Sequence, residues 1–246
     1  MIAVIPARSG SVRVKNKNIK LINGHPLIAY TIEFAKKSKM FDKIICTTDS
    51  KQIAAIAKYY GCDEVVIRSK AISSTTSPDI DWINDLVKRN LLLSEYFCIL
   101  RITSPIKSKI HLNSAFRLLV KSKGDSVRAI TKIHDHPGKA WVYLDKKKGL
   151  ITPIIHSKSS TNIAFHARQY QDLPLVYVQT SSFEFIKTNS VKKNGTREGR
   201  VILGYEINYP DTVNIDYEED FEYFKYLCET GKINLIKVEN TPYALG

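Results

Sequence analysis

Four short apolar runs constrain this chain most: MIAVIPA at its start, DKIICTT at 42–48, DEVVIR at 63–68 and EYFCIL at 95–100. None alternates polar with apolar, as a strand with one wet face would. Each reads as a strand covered on both faces, the pattern of a parallel sheet between helices. Helical segments fill the intervals. His25-Pro26 opens one, with Pro at its first position, and Leu27, Ile28, Thr31, Ile32, Phe34 and Ala35 carry the helical period. Asp49-Ser50 caps KQIAAIAKYY, which stops at Gly61. Ser77 and Pro78 serve as cap and first residue for DIDWINDLVKRN. A further helix is expected near 110–122 and a strand at DSVRAITKI. Strands alternating with helices in this way form a mostly parallel, helix-covered sheet.

From about His134 to Gly199 the texture changes. Short β-like pieces (AWVYL, ITPII, LVYVQ, SFEFIK) are separated by Gly, Pro, Lys and Ser, and read as an inserted antiparallel arm rather than a free-standing domain. The alternating pattern then resumes with RVILGYEI, a loop through Asn214–Asp216, a helix over Glu218–Glu229 and a last strand, INLIKV. At 246 residues the expectation is a single domain over 1–246, carrying the arm at about 134–199.

The net charge of +13 comes from lysines spread along the chain in KKSK, VKSK, DKKKG and VKKNG. No aromatic-plus-basic RNA motif or helix-turn-helix accompanies them, so they read as a solvated basic surface suited to anionic small molecules, not to nucleic acid. No run approaches the roughly 20 apolar residues of a membrane span, and MIAVIPAR lacks the layout of a signal peptide. Cys46, Cys62, Cys98 and Cys228 are scattered with no CxxC pair, which fits reduced thiols in a cytoplasmic protein.

In open α/β sheets, ligands bind beyond the carboxyl ends of the strands. That rule gathers the loop after the first strand, Asp49, Arg68, the Arg101–Ser108 loop and Asp216 around one crevice. The first loop, ARSGSVRVKNKN, has neither GK[ST] nor GxGxxG. Its small residues Ala7, Ser9, Gly10 and Ser11 let backbone N–H groups face an anion, and Arg8 and Lys17 can neutralise a polyphosphate. On the loop alone, a phosphate site and a solvated basic loop remain equally open. His134-Asp135-His136 offers three donor side chains for a metal but no fourth at a suitable spacing; ordering of the arm by His136 is favoured. Asp49 fits helix capping better than ribose binding. Arg13, Lys15 and Lys20 read as solvated neighbours. Glu218, Glu219 and Asp220 suit a helix N-terminus, while Phe221 and its aromatic neighbours suit a packing face.

Read whole, IPARSGSVRVKNKNIKLINGHPLIAYTI resembles the nucleotide loop of the acylneuraminate cytidylyltransferase (CMP-sialic acid synthetase) family. The resemblance continues in order through DKIICTTDS, Arg68, Thr103–Pro105, Asp125–Val127, His136–Lys139, Gln171–Val178 and Ile215–Phe221. It implies an α/β, Rossmann-like nucleotidyltransferase fold with an inserted dimerisation arm. The implied reaction is attack of a 2-keto sugar acid on the α-phosphate of CTP, with Mg²⁺ and loss of pyrophosphate, in a cytoplasmic homodimer. Carried over by motif, Arg8, Ser11, Lys17 and Asn18 bind the nucleotide, with Arg68 near the base and Asp79 at the position of a Ser near the ribose. Arg8, Lys17 and Asp216 are the implied catalytic residues. Arg101, Thr103, Lys139, Arg168, Gln171 and Thr180 face the sugar, some from the partner chain.

The sequence also departs from the family pattern. The metal pair D-x-D becomes Asn214-Ile215-Asp216, with Asp211 or Asp220 as candidate compensating carboxylates. A Gln facing the sugar becomes Arg101. Gln179-Thr180-Ser181-Ser182 replaces P-N-G-A, and Tyr170 stands where an Arg is usual. These changes gather on the sugar side, so the expected acceptor differs from plain N-acetylneuraminate, and Arg101 would suit a more acidic one.

Overall fold

The computed structural model describes residues 1–155 and 163–244, and of Asn194 its backbone alone. In chain order the elements are β1 (Ile2–Pro6), β2 (Leu21–Ile22), β3 (His25–Pro26), α1 (Leu27–Ser38), β4 (Lys43–Thr48), α2 (Lys51–Tyr59), β5 (Glu64–Ile67), α3 (Asp79–Lys88), β6 (Tyr96–Leu100), α4 (Lys109–Ser122) and β7 (Ser126–Lys132). Then follow β8 (Trp141–Asp145), β9 (Leu150–Pro153), β10 (Tyr177–Lys187), α5 (Thr188–Asn194), β11 (Ile202–Glu206) and α6 (Glu218–Glu229). Among the described residues, seven strands form one sheet in the order β11-β7-β10-β6-β1-β4-β5. β1 is parallel to both β4 and β6, and β4 to β5, while β10 runs antiparallel to β6.

The unbroken apolar runs are explained by the two cores. Ala3 and Ile5 of β1 pack into one cluster with Leu27, Ile28 and Ile32 of α1, Ile53 and Ile56 of α2, and Phe221 and Phe224 of α6. Ile2 and Val4 point the other way, against Trp82, Ile83 and Leu86 of α3 and Val191 of α5. Successive side chains of a strand alternate faces, so a strand buried on both sides is apolar throughout.

Several local expectations are corrected. Pro26 stands just before α1 with φ −66° and ψ 146°, outside the helix, because it pairs with Leu21 as part of β3. Pro78 likewise precedes α3, whose first residue is Asp79. Ser50 alone caps α2, its hydroxyl accepting from Ile53 N at 3.3 Å. The INLIKV segment, expected as a strand, takes no strand pairing; Ile233 and Val238 are buried without joining the sheet.

The chain divides into two compact units, Met1–Ala129 with Thr180–Gly246, and Ile130–Gln179. The segment expected as an arm is therefore shared. Phe183–Lys187 pairs with β6 in the main sheet, and α5 packs Val191 beneath it. In the second unit, β8 and β9 form an antiparallel pair. His136 orders a neighbouring turn, its Nδ1 accepting from Gly138 N at 2.9 Å and its Nε2 lying 3.0 Å from Pro174 O. Residues 156–162 of the expected arm lie outside the described residues.

Candidate active site

The loop after β1 is held at both ends. Ala7 N donates to Thr47 O at 2.9 Å, the last rung of the β1–β4 ladder. Beyond it, Asn18 Nδ2 donates to Arg8 O at 2.8 Å and closes the loop on itself. Val14 and Ile19 are buried anchors, and Lys17 and Asn18 are buried with them, at 9% and 8% exposure. Asn16 takes the left-handed turn, φ 53°, that leads into the single 3-10 turn Lys17–Ile19. The carboxylate of Asp49 accepts from Ser9 N at 2.7 Å and Ser9 Oγ at 2.9 Å. Asp49 is thus a tie for the loop after β1, not a helix cap.

Opposite the loop lies the 214–216 segment. Lys17 Nζ donates to Ile215 O at 2.7 Å and lies 3.6 Å from Asp216 Oδ1. Burial lowers the pKa of the Lys17 ammonium, and the charge of Asp216 works against that shift. Ile215 N donates to Thr103 O at 2.8 Å, and Ser104 Oγ lies 3.3 Å from Asn214 Oδ1. The loop after β6 is braced in turn by Lys107, whose ammonium donates to Arg101 O at 2.8 Å and to Ser104 O. Burial pushes the Lys107 pKa down to about 7. Three strand-tip loops are thereby joined through main-chain groups.

The basic neighbours are not merely solvated. Arg13 Nη2 lies 3.3 Å from Asp216 Oδ1, and Lys20 pairs with Glu218 at the start of α6. Lys15 is exposed. Arg8 Nη1 donates to Ser74 O at 3.0 Å, in the loop before α3. Ser11, half-buried, turns back so that its N–H reaches Ser9 O at 2.8 Å.

Arg68 follows β5 and is 6% exposed. Its Nη2 donates to Thr47 O at 3.1 Å, while its Nε–H is buried without a partner among the described residues. Burial lowers its pKa. A buried unpaired donor at a strand tip is a natural ligand contact.

Asp79 and Arg101 belong to a cluster that sequence reasoning did not assemble. Arg101 pairs with Asp79 and lies 3.2 Å from Glu184. Arg197 also pairs with Asp79, and lies 3.4 Å from Glu184 and 2.8 Å from Glu198. Arg128 lies 3.1 Å from Glu198. Trp82 Nε1 donates to Asp79 Oδ1 at 2.9 Å. Burial alone would raise the Asp79 pKa; the charges of Arg101 and Arg197, with hydrogen bonds from Arg101 and Trp82, outweigh it and hold the carboxyl at about 2. The guanidinium of Arg101, expected to offer spare charge to an acceptor, is thus matched in place by carboxylates. The loop carrying Arg197 turns at Gly199, φ 75°, where a Cβ would lie 2.3 Å from Asp125 Cβ. That close approach is available to glycine because it has no side chain.

Of the remaining residues expected to face a sugar, Thr103 is half-buried and lends its carbonyl to Ile215, and Thr180 Oγ1 donates to Ala129 O at 3.4 Å. Lys139, Arg168 and Gln171 lie in the second unit. There Lys139 Nζ donates to His166 O at 3.3 Å, Arg168 Nε donates to Ile163 O at 3.0 Å, and Gln171 is exposed.

Among the described residues, the donors available here for a divalent cation are few. Asp216 Oδ1 faces Lys17 and Arg13, and its Oδ2 accepts from the Asn214 amide. The two candidate compensators are engaged elsewhere. Asp220 accepts from Asp216 N and Tyr217 N at 2.8 Å each, and Asp211, its pKa raised by burial, lies 3.3 Å from His111. One carboxylate and one amide oxygen fit Mg²⁺ that brings phosphate oxygens with it, the usual arrangement for this ion.

Similarity to known proteins agrees with this geometry. The cytidylyltransferase family matches residues 2–144. N-acylneuraminate cytidylyltransferase of Escherichia coli is 30% identical over 90% of this chain, which spans half the length of that relative. Pseudaminic acid cytidylyltransferase of Campylobacter jejuni is 30% identical over 75% of this chain and 77% of its own. CMP-N,N'-diacetyllegionaminic acid synthase of Legionella pneumophila is 35% identical over 62% of this chain and 66% of its own. Among solved structures, a CMP:2-keto-3-deoxy-manno-octonic acid synthetase complexed with CTP superposes with a TM-score of 0.68. It covers 94% of this chain and 98% of that one at 12% identity, which shows a shared fold. With half its length and more matched, and its strand-tip loops closed around a buried lysine and a carboxylate, the chain belongs to the cytidylyltransferase family.

Proposed function

We propose that this protein transfers CMP from CTP to a nonulosonic, sialic-acid-like 2-keto sugar acid and releases pyrophosphate, for surface glycan assembly. The observation that carries the reading is the closure of the Arg8–Asn18 loop onto the 214–216 segment through the buried Lys17. It sets cations on a polyphosphate-sized loop directly opposite an acidic wall. The relatives named for sialic, pseudaminic and legionaminic acids support the acceptor class.

In this reading Arg8 and Lys17 hold the phosphates and stabilise charge as the acceptor hydroxyl attacks the α-phosphorus and pyrophosphate departs. Ser11 and Asn18 keep the loop in shape, and Arg68 offers its unpaired N–H to the base. Asp216 and the Asn214 oxygen would hold Mg²⁺, which when bound neutralises phosphate charge. Asp79 acts by fixing Arg101 and Arg197. Thr103 and Thr180 face the acceptor from the first unit; Lys139, Arg168 and Gln171 are assigned to the acceptor by the family resemblance, some of them from the partner chain.

The protein works in the cytoplasm, where its buried thiols Cys46, Cys62 and Cys98 stay reduced. Among the described residues no helix is long and apolar enough to cross a membrane. It acts as a homodimer. Four successive apolar residues of β8, Trp141 to Leu144, are each 45–66% exposed. Neighbours on a strand face opposite sides, so both faces of the hairpin expose apolar side chains, with the Trp141 ring meeting that of His166 at 4.8 Å. Sedimentation equilibrium reads this directly, and a monomer at micromolar concentration would remove the dimer from the proposal.

A pyrophosphate-release assay over several 2-keto sugar acids and each nucleoside triphosphate tests the activity. CTP with a nonulosonic acid is expected to be turned over, with N-acetylneuraminate not the preferred acceptor. Release with no acceptor in the panel would sink the enzymatic reading. Arg8→Ala is expected to lose at least about tenfold in turnover, some 1.4 kcal/mol of transition-state stabilisation. An unchanged rate removes Arg8 from the mechanism.

A further inference from the structure

Lys107 is an inward-turned cation that the chemistry above leaves unused. It stands in the loop between β6 and α4, where residues 101–108 form neither helix nor strand. Backbone carbonyls in such a stretch need partners from elsewhere, and Pro105 has no N–H to offer. Ile102 and Ser104 are buried, which leaves little room for water as that partner. The Lys107 ammonium takes the place, donating to Arg101 O at 2.8 Å and to Ser104 O. Among the described residues no carboxylate forms an ion pair with it. The charge of Asp211 acts from longer range, and burial still pushes the Lys107 pKa down to about 7. A cation held without a close carboxylate is costly to the fold. The outer side of the same turn carries the wall of the site. Thr103 O, between the two carbonyls that Lys107 holds, accepts from Ile215 N at 2.8 Å, and Ser104 Oγ lies 3.3 Å from Asn214 Oδ1. Ile215 O in turn accepts from Lys17 Nζ at 2.7 Å. Residue 215 is fixed on one side by Lys17 and on the other by a turn that Lys107 keeps in shape.

We propose that Lys107 is a positioning residue of the CMP transfer: its ammonium sets the turn at 101–104 and, through Thr103 O, the place of Asp216 relative to Lys17. It acts through the backbone, not on the substrate. The inference rests on the CMP-transfer reading above. A shift of the wall on the order of 1 Å is enough to cost about a hundredfold in rate.

Lys107→Met, Lys107→Gln and Lys107→Arg in the full chain test this by two readouts, pyrophosphate release with CTP and residue-resolved amide exchange. The acceptor is the 2-keto sugar acid of the panel that the parent turns over fastest. Lys107→Met is expected to lose about ten- to a hundredfold in kcat, with the KM for CTP changed by less than about threefold. Exchange of the Ile215 amide quickens about tenfold, while that of Asp63, bonded to Ile44 O at 3.0 Å, changes by less than about twofold. Lys107→Arg keeps donors for both carbonyls and recovers most of both losses. Lys107→Gln keeps fewer and lies between; these two variants carry the test should Lys107→Met not fold. Unchanged Ile215 exchange overturns the link through Thr103. Equal acceleration at Ile215 and Asp63 makes Lys107 a general stabiliser of the fold and overturns the proposal, as does an arginine variant no better than the methionine one. An active parent with an equally active Lys107→Met overturns the positioning role alone and leaves the CMP-transfer reading standing. A parent that releases no pyrophosphate with any acid overturns that reading, and the positioning role falls with it.

Discussion

Lys17→Met lowers kcat for pyrophosphate release by two to three orders of magnitude, about 3–4 kcal/mol of transition-state stabilisation. Methionine matches the length of the lysine stem but removes the ammonium that touches Ile215 O and faces Asp216. The charge sits in a buried pocket, where water screens it little and a fixed cation acts strongly on a developing phosphate charge. Loss in kcat with a smaller change in KM would show that the contact tightens in the transition state. A variant with kcat within about threefold of the parent and a raised KM would make Lys17 a ground-state anchor instead. Denaturant midpoints keep the two effects apart from unfolding, since the vacated Ile215 carbonyl costs about 1–3 kcal/mol of stability.

Asp79→Ala destabilises the fold by about 3 kcal/mol, measured by urea unfolding. The substitution leaves Arg101 and Arg197 half-buried with their shared carboxylate gone, and unpairs Trp82 Nε1. An uncompensated buried charge, not the lost attraction, accounts for most of the cost. Asp85→Ala is the contrast. Its exposed pair with Arg89, 3.0 Å and one helical turn away, is worth less than about 0.5 kcal/mol. Equal effects from the two substitutions would refute the cluster's importance.

The acid behaviour follows the same charges. Asp79 titrates at about 2 in the folded protein, below the ordinary carboxylate value. The unfolded chain therefore takes up the proton first as pH falls. The Asp79 contribution is whole above about pH 4 and is lost as pH drops toward 2, on the order of 2 kcal/mol. The parent accordingly loses stability over that window, and Asp79→Ala lacks this part of the loss.

The parallel part of the sheet was legible because both-face burial leaves an unbroken apolar run, as in β1, β4 and β6. β10 was not, because Gln179-Thr180-Ser181-Ser182 divides one eleven-residue strand into two pieces that look like separate hairpin arms. INLIKV misled for the opposite reason: an apolar run records burial, and burial does not require a sheet partner. The family resemblance of the loop after β1 was readable as a contiguous motif. The six-residue charge cluster was invisible because its members, from Asp79 to Glu198, share no period and meet only through the fold. Asp49 and Lys107 escaped for a related reason. Each acts on a loop other than its own or on backbone carbonyls, and neither leaves a local pattern.

The 214–216 segment is gripped chiefly by its backbone: Ile215 N on Thr103 O, Ile215 O under Lys17, and Asp216 N on Asp220. The side chain at 214 adds to that grip, its amide donating to Asp216 and its Oδ1 lying 3.3 Å from Ser104 Oγ. A carboxylate at 214 would keep these backbone bonds but would replace an amide donor to Asp216 with a second negative charge. A combinatorial library at 103 and 214 would sample ion and acceptor preference on a frame held largely by backbone bonds, which makes this wall the economical place to retune the proposed activity.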